Sequence, residues 1–451
     1  MGAFARNGAK GTTNPNRTES RRARPWNGWG VPAWASRPSG QGSDGQTVSA
    51  GLVSSLPESG ADRSLRVLVV SRSRVVWGAE RSILGLAGLL EARGIELTLS
   101  SPSEGDFFDA WASTGLPHLE LELPPHQGLR NDAGGRPSPS ALAREMRSTF
   151  GGALRVARAS KKMDVIHSNS LWGHLDCALG GRLAHRPVVL ELHDLVRPGV
   201  GRRVLQTAVV ASSGVMAISR AVADTVGGHG RITQARLHVV PQAVDTERFH
   251  PGPPDPDVRA CLSSEPHRPI VGIIGRIDPE KGVDLVVEAV ASLEGSAGTC
   301  HLAVIGGPGL DGGAYARRVR AQAEDRLGDR VRFTGPMENV PDALRSLDVV
   351  INASAAEPFG LSVLEAQASG VAVIGTAAGG IPEFVIDGET GLLVPPRDVS
   401  SLSLALKRLL EDEDLRNRLG RNGHSSAAAR YGLPARADAV AAIYRSVARG
   451  R

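Results

Sequence analysis

Three short stretches in the second half of this 451-residue chain combine charge and glycine in spacings that suit a phosphorylated ligand. The first is Gly275-Arg276-Ile277-Asp278-Pro279-Glu280-Lys281-Gly282. Two cations on a loop bounded by glycine and proline suit a diphosphate, the guanidinium as a fork and the ammonium as a point charge. A solvated loop with a local Lys–Glu pair is the alternative. The second is Glu357-Pro358-Phe359-Gly360-Leu361-Ser362-Val363-Leu364-Glu365. A turn at Pro358-Phe359-Gly360 followed by good helix formers would aim the amides of Gly360, Leu361 and Ser362 at an anion. Glu365, just over one helical turn in, would reach hydroxyls attached to that anion, as carboxylates hold a ribose in α/β folds. Two solvent-facing glutamates on a capped helix is the plainer reading. The third, Gly375-Thr376-Ala377-Ala378-Gly379-Gly380-Ile381-Pro382-Glu383, has side chains small enough for backbone to approach either a ligand or a neighbouring helix.

Each stretch follows a short apolar, β-branched run. Ile270–Ile274, His301–Ile305, Val331–Thr334, Asp348–Ala353, Ala372–Thr376 and Gly391–Val394 read as strands, with helices or turns between them. The first half repeats the alternation, with strands at Leu65–Ser71, Ile95–Ser100, Val165–His167, Val188–Leu192, Gly214–Ile218 and Leu237–Val240. Helices such as Gly78–Arg93 and Pro139–Arg158 fall between these strands, which implies right-handed crossovers and a parallel sheet. Phe249–Pro269 carries six prolines and no periodicity, so it separates the halves. The expected organisation is a tail at 1–61, a first domain at 62–250, a linker at 251–267 and a second domain at 268–451. The last helices are expected to pack back across the first domain. The fold class is α/β, two doubly wound Rossmann-like domains facing each other across a cleft that holds the ligand.

Composition narrows the function. Hydrophobic residues are 41% and charged residues 22%, ordinary for a folded chain. The net charge of +5 is concentrated in residues 1–60, where seven basic groups face three acidic ones, leaving +1 for the remainder. A nucleic-acid-binding domain would carry that charge on its folded module, so nucleic acid is not an expected partner. The tail is rich in Gly, Ser, Pro and Arg and is expected to be disordered, although Trp26, Trp29 and Trp34 lie in it. The three cysteines, far apart, fit a reducing compartment, and no run of apolar residues is long enough to span a bilayer. The expected location is the cytoplasm.

In chain order, the sequence shows Trp77-Gly78-Ala79-Glu80-Arg81, His167-Ser168-Asn169-Ser170, Leu192-His193-Asp194 and Ala217-Ile218-Ser219-Arg220. Val239-Val240-Pro241-Gln242-Ala243-Val244-Asp245 and the three stretches above follow. Together they resemble the retaining glycosyltransferases of family 4, which have the two-domain GT-B fold, over nearly all of 65–445. The paired glutamates after an Arg-x₄-Lys loop are specific in combination, whereas either element alone is weak.

The resemblance implies a donor that is a nucleotide-diphosphate sugar, an acceptor bearing a hydroxyl, and no further cofactor. Arg276 and Lys281 are implied to hold the diphosphate and stabilise the charge that grows on it as the sugar leaves. Glu365 is implied to bind the ribose, and Glu357 the donor sugar. The Phe359-Gly360-Leu361-Ser362 turn is implied to offer its amides, with Gly78 approaching the diphosphate from the opposite wall. Gly335 and Met337 are implied to flank the nucleobase, and His193 to line the cleft beside the sugar. A cationic clamp in place of an Asp-x-Asp pair implies work without a metal ion. Two positions depart from the family pattern: Trp77 stands where a second glycine is frequent, and Gln242 replaces a commoner asparagine.

Ser140–Lys162 holds Arg144, Arg147, Arg155, Arg158, Lys161 and Lys162 against Glu145 alone. Its partial apolar spacing makes peripheral contact with an anionic membrane an expectation, beside the reading of an ordinary charged helix face. Arg197, Arg202 and Arg203 would extend a basic rim after His193. Two other functions stay open on sequence alone: a nucleotide-sugar-binding protein without turnover, and a nucleotide-sugar epimerase of the same architecture, which would need further acid–base carboxylates across the cleft.

Overall fold

The structure, a computed structural model, describes residues 64–126, 139–226, 236–309 and 312–450; the expected tail at 1–61 lies outside these. The first half runs β1 (Leu65–Val70), α1 (Gly78–Glu91), β2 (Ile95–Ser101), α2 (Asp106–Ala112), β3 (His118–Glu120), α3 (Pro139–Ala159) and β4 (Val165–Ser168). It continues with α4 (His174–Ala184), β5 (Val188–Leu192), α5 (Val200–Ala211), β6 (Gly214–Ala217), α6 (Arg220–Val226) and β7 (Leu237–Val239). These strands form one parallel sheet in the order β3-β2-β1-β4-β5-β6-β7.

The second half runs α7 (Pro256–Leu262), β8 (Ile270–Ile274), α8 (Val283–Ala291), β9 (His301–Ile305), α9 (Ala314–Leu327), β10 (Val331–Gly335), α10 (Val340–Arg345) and β11 (Val349–Asn352). Then come α11 (Leu361–Ala368), β12 (Ala372–Thr376), β13 (Leu392–Val394), α12 (Val399–Glu411), α13 (Glu413–Arg430) and α14 (Leu433–Arg449). Its sheet is also parallel, in the order β10-β9-β8-β11-β12-β13.

The alternating pattern is borne out, because strands covered by helices on both faces must be apolar throughout. β8 (IVGII) and β12 (AVIGT) are such runs. Burying each Val, Leu or Ile contributes roughly 1.5–3 kcal/mol. Two elements differ from expectation. β3 is only three residues long, too short to show a period. Within the proline-rich 251–267 stretch lies α7, whose N-cap Asp255 accepts from the Asp257 and Val258 amides while Pro256 takes the first turn. Proline there gives up a donor that no helix uses, so it starts the helix rather than breaking it.

Strand order reverses between β1 and β4 in one sheet and between β8 and β11 in the other. The loops leaving those strands therefore diverge, and each sheet opens a crevice at its carboxyl edge. α13 lies on the second sheet's side, against α11 and β12, and α14 returns to the first sheet, against α1, β4 and β5. Ala437, Val440, Ala441, Ile443 and Tyr444 of α14 belong to the same core as Val67, Val69 and Leu86.

Candidate active site

The Arg276–Lys281 loop leaves β8 and the Glu357–Gly360 loop leaves β11, so the two meet at the reversal of the second sheet. There Gly275, Arg276 and Lys281 line a small recess with Asn352 and Ser354 at its polar end. The Lys281 ammonium lies 2.8 and 3.0 Å from the two oxygens of the Glu357 carboxylate. Ser354 Oγ donates to the same carboxylate at 2.7 Å and Asn352 Nδ2 at 3.4 Å. Burial pushes the Glu357 carboxyl up, but Lys281 and these hydrogen bonds outweigh it and hold the group below the usual carboxylate range.

α11 begins at Gly360, whose φ of 104° lies in the left-handed region and whose Cβ, if it had one, would sit 2.9 Å from Ile381. Glycine is therefore required where the loop turns into the helix. The Leu361 and Ser362 amides head that helix, where no intrahelical acceptor exists. The third glycine-rich stretch does its work by packing: Gly379 pairs in a bridge with Glu357, and the Gly380 amide donates to the Glu357 carbonyl at 2.8 Å. Small residues there let one loop support the other.

The first domain supplies the opposite wall. Trp77 caps α1, and the Arg276 guanidinium lies 5.3 Å from its indole centroid, which makes a cation–π contact across the cleft. Arg276 also pairs with Asp278 at 3.4 Å. Gly78 opens α1, is exposed, and has nothing within 4 Å of where a Cβ would stand, so the fold itself does not demand glycine there. Arg81, one turn into α1, reaches Glu365 of α11 at 3.4 Å. Burial raises the Glu365 carboxyl above its ordinary value, and the nearby Arg81 and Arg248 oppose that rise only in part. Further out, Arg197 and Glu280 face each other at 3.8 Å as an exposed pair.

His193 follows β5, with Gln242 Nε2 at 3.3 Å from its Nδ1 and Glu191 Oε1 at 3.7 Å from its Nε2. Gly335 ends β10, and Met337, just beyond it, is half-buried against the core. The backbone of Phe359, not its ring, is the part that the turn can offer. The Phe359 ring is buried, stacks on Phe384 at 5.0 Å and meets Tyr431 at 6.3 Å, so its side chain belongs to the core and only its backbone can face a ligand.

The structure thus brings together Gly78, Arg276, Lys281, Glu357, Gly360, Leu361, Ser362 and Glu365, with His193 at the end of β5 on the facing domain. Four participants carried no assigned role in the sequence: Arg81 on Glu365, Ser354 and Asn352 on Glu357, and Gln242 on His193. Arg81 sat inside the quoted first-domain stretch, and Gln242 was marked only as a departure from pattern.

Comparison with known proteins decides the family. The family described as Glycosyltransferase Family 4 matches residues 76–248, and that described as Glycosyl transferases group 1 matches residues 256–426. A D-inositol 3-phosphate glycosyltransferase of Acidothermus cellulolyticus is 32% identical over 396 residues, 80% of this chain and 83% of that protein. The chain belongs to the family 4, group 1 glycosyltransferases.

Other relatives of this glycosyltransferase include a D-inositol 3-phosphate glycosyltransferase of Kribbella flavida, 31% identical over 80% of this chain and 91% of that one. A lipopolysaccharide core biosynthesis mannosyltransferase of Rhizobium meliloti is 32% identical over 54% of this chain and 66% of that one. Among solved structures, a glycosyltransferase from Rickettsia africae superposes with a TM-score of 0.73 at 19% identity, over 86% of this chain and 100% of that one. Anabaena HepE in complex with UDP-glucose gives 0.69 at 22%, over 85% and 100%. These likenesses bear out the fold of the glycosyltransferase as the two-domain GT-B architecture.

Proposed function

We propose that this glycosyltransferase moves a hexosyl group, with retention at the anomeric carbon, from a nucleotide-diphosphate sugar to a hydroxyl of a glycan, lipid-linked or small-molecule acceptor. The observation that carries the reading is the meeting of Arg276, Lys281 and the head of α11 at the strand-order reversal of the second sheet. Both cations answer the negative charge that grows on the departing nucleotide, and the α11 amides add the positive end of the helix. No divalent ion is assigned a part in holding the diphosphate. Glu365 takes the ribose hydroxyls, Glu357 and His193 the sugar, and the backbone at Gly335–Met337 the base. Attack comes from the face the nucleotide leaves, with a donor phosphate oxygen taking the acceptor proton. The UDP-glucose complex of HepE supports the donor class, and the names of the inositol-phosphate and mannosyl relatives support the acceptor and hexosyl classes.

The reading extends to a cytoplasmic location, with peripheral contact at the inner face of the membrane. Leu142, Met146 and Phe150 of α3 form an exposed ridge at helical spacing, with Arg144 and Arg147 beside it. Among the described residues no helix is long and apolar enough to cross a bilayer. Anionic vesicles, but not neutral ones, are expected to co-float with the protein, and Phe150→Glu to abolish it.

The deciding experiment is a thermal-shift panel of UDP-, GDP- and ADP-sugars followed by nucleotide release with candidate hydroxyl acceptors, in chelator. Stabilisation by one donor class, turnover in the presence of chelator and a product of unchanged anomeric configuration are the expected results. Glu365→Ala is expected to weaken donor binding. Binding without release from any acceptor would leave only the binding-protein reading.

A further inference from the structure

Glu191 and His193 stand two residues apart on the strand end, so their side chains leave the same face. Glu191 is buried at 2% exposure. Its Oε2 lies 3.2 Å from His167 Nε2, and its Oε1 accepts from Arg436 of α14 while facing His193 Nε2 at 3.7 Å. On the other side of the His193 ring stands the Gln242 amide. The Gln242 amide nitrogen can only donate, so Nδ1 accepts and the ring proton resides on Nε2, the nitrogen turned toward Glu191.

Arg436 does more than pair with the carboxylate. The same guanidinium donates to the Val240 carbonyl at 2.7 Å and to that of Pro241. Those carbonyls lie just before the chain leaves the first domain, and the Val244 amide donates to the Tyr431 carbonyl at 2.8 Å where the chain comes back. One buried arginine therefore joins the segment where the chain changes domain to the carboxylate beside His193.

We propose that Glu191, held by Arg436, is the positioning residue for His193: it fixes the tautomer and aim of the imidazole and ties both to the geometry of the inter-domain crossing. The proposal rests on the transferase reading, in which His193 faces the donor sugar. The Glu191 carboxylate stays charged, since burial pushes it up but His193 and Arg436 hold it well below the usual range. Other titratable groups also surround the ring. His174 of α4 is pushed down to about 3 by burial and remains neutral, and Glu80 of α1, whose carboxyl burial raises, is a second acidic group beside His193. Tyr444 of α14 is raised and bonds His167 Nδ1 at 2.8 Å, which leaves His167 Nε2 to donate to Glu191. Gln242, the departure from the family pattern, acts from the opposite side as the second constraint.

The test is Glu191→Gln, alone and in a His193→Ala background, on the full chain. Losing the outer partner that fixes a histidine costs roughly 10- to 100-fold at metal-ligating histidines, and a similar fall in kcat is expected here with KM for donor and acceptor nearly unchanged. In the His193→Ala background Glu191→Gln should cost nothing further. An equal loss in both backgrounds, or no loss in either, overturns the proposal. If Glu191→Gln does not fold, Glu191→Asp, which keeps the charge but shortens its reach, carries the same comparison. If the wild type turns over no nucleotide sugar, the transferase reading fails on its own. Nitrogen-15 spectra of the His193 ring then test the network directly: a wild-type ring protonated at Nε2 is expected, with tautomer exchange appearing in Glu191→Gln, and a wild-type Nδ1–H ring overturns it.

Discussion

Lys281 and Glu357 form the closest charged contact in the candidate site, and each group depends on the other. Removing the ammonium leaves a carboxylate that is almost fully enclosed. Lys281→Ala is expected to lower kcat/KM by about 10²- to 10³-fold, the usual cost of losing one preorganised donor to a developing anion. It should also destabilise the fold by roughly 1–3 kcal/mol, less than a fully buried pair because the Lys281 side chain is 26% exposed. The sign of the pH dependence follows. The Glu357 carboxyl is depressed in the folded protein, so its contribution is complete above the unfolded carboxylate value, about 4.3, and disappears as pH falls through the lower folded value. Melting temperatures of wild type and Lys281→Ala should therefore differ most near neutrality and converge in acid; a constant gap down to pH 3 would contradict this.

At the level of elements, two glycines at helix starts make opposite demands. Gly360 heads α11 with a backbone that L-residues rarely adopt and with Ile381 against it, so Gly360→Ala should destabilise by about 1–3 kcal/mol. Gly78 heads α1 with open space around it, so Gly78→Ala should leave the melting temperature within a degree or two. On the proposed donor site, donor KM is nevertheless expected to rise several-fold in Gly78→Ala, because the added methyl would project from the wall opposite the Arg276–Lys281 loop. Calorimetry and donor titrations of both variants separate fold from function.

The same scale explains what the sequence could tell. Parallel strands and their helices announced themselves through apolar runs, and the loops at their carboxyl ends carried the charged spacings. β3 and α7 were hidden, one by its length and the other because Asp-Pro reads as a turn when it is a cap and a first turn. The ring of Phe359 was less legible, since its backbone belongs to the turn before α11 while its side chain turns into an aromatic cluster. Contacts such as Glu191–Arg436, 245 positions apart, leave no local signature at all.

Across the whole molecule, polar groups from the two domains meet over the cleft. Arg81 on Glu365 is one such contact, and Glu383 accepting from the Arg220 and Ala221 amides at 2.8 and 2.9 Å is another. Ser219 Oγ also donates to the Pro358 carbonyl at 2.6 Å. Because Glu365 is the group assigned to the ribose, a donor must exchange Arg81 for its own hydroxyls. Arg81→Gln is expected to enlarge the radius of gyration by small-angle scattering without donor, and saturating donor should restore the compact value. An identical profile for wild type and variant without donor would remove Arg81 from the closing contact.

The return of α14 to the first sheet has a practical consequence for dissecting this protein. A fragment ending near residue 250 would lack Val440, Ile443 and Tyr444 and would present an uncovered apolar trough to water. Anyone wishing to study the amino-terminal lobe by itself should graft 433–450 onto it through a short designed connector. The two lobes also share apolar packing elsewhere: Ile218 and Val222 of the first belong to one buried cluster with Phe359, Phe384 and Tyr431 of the second, so a carboxyl-terminal fragment cut at 432 would expose part of that face as well.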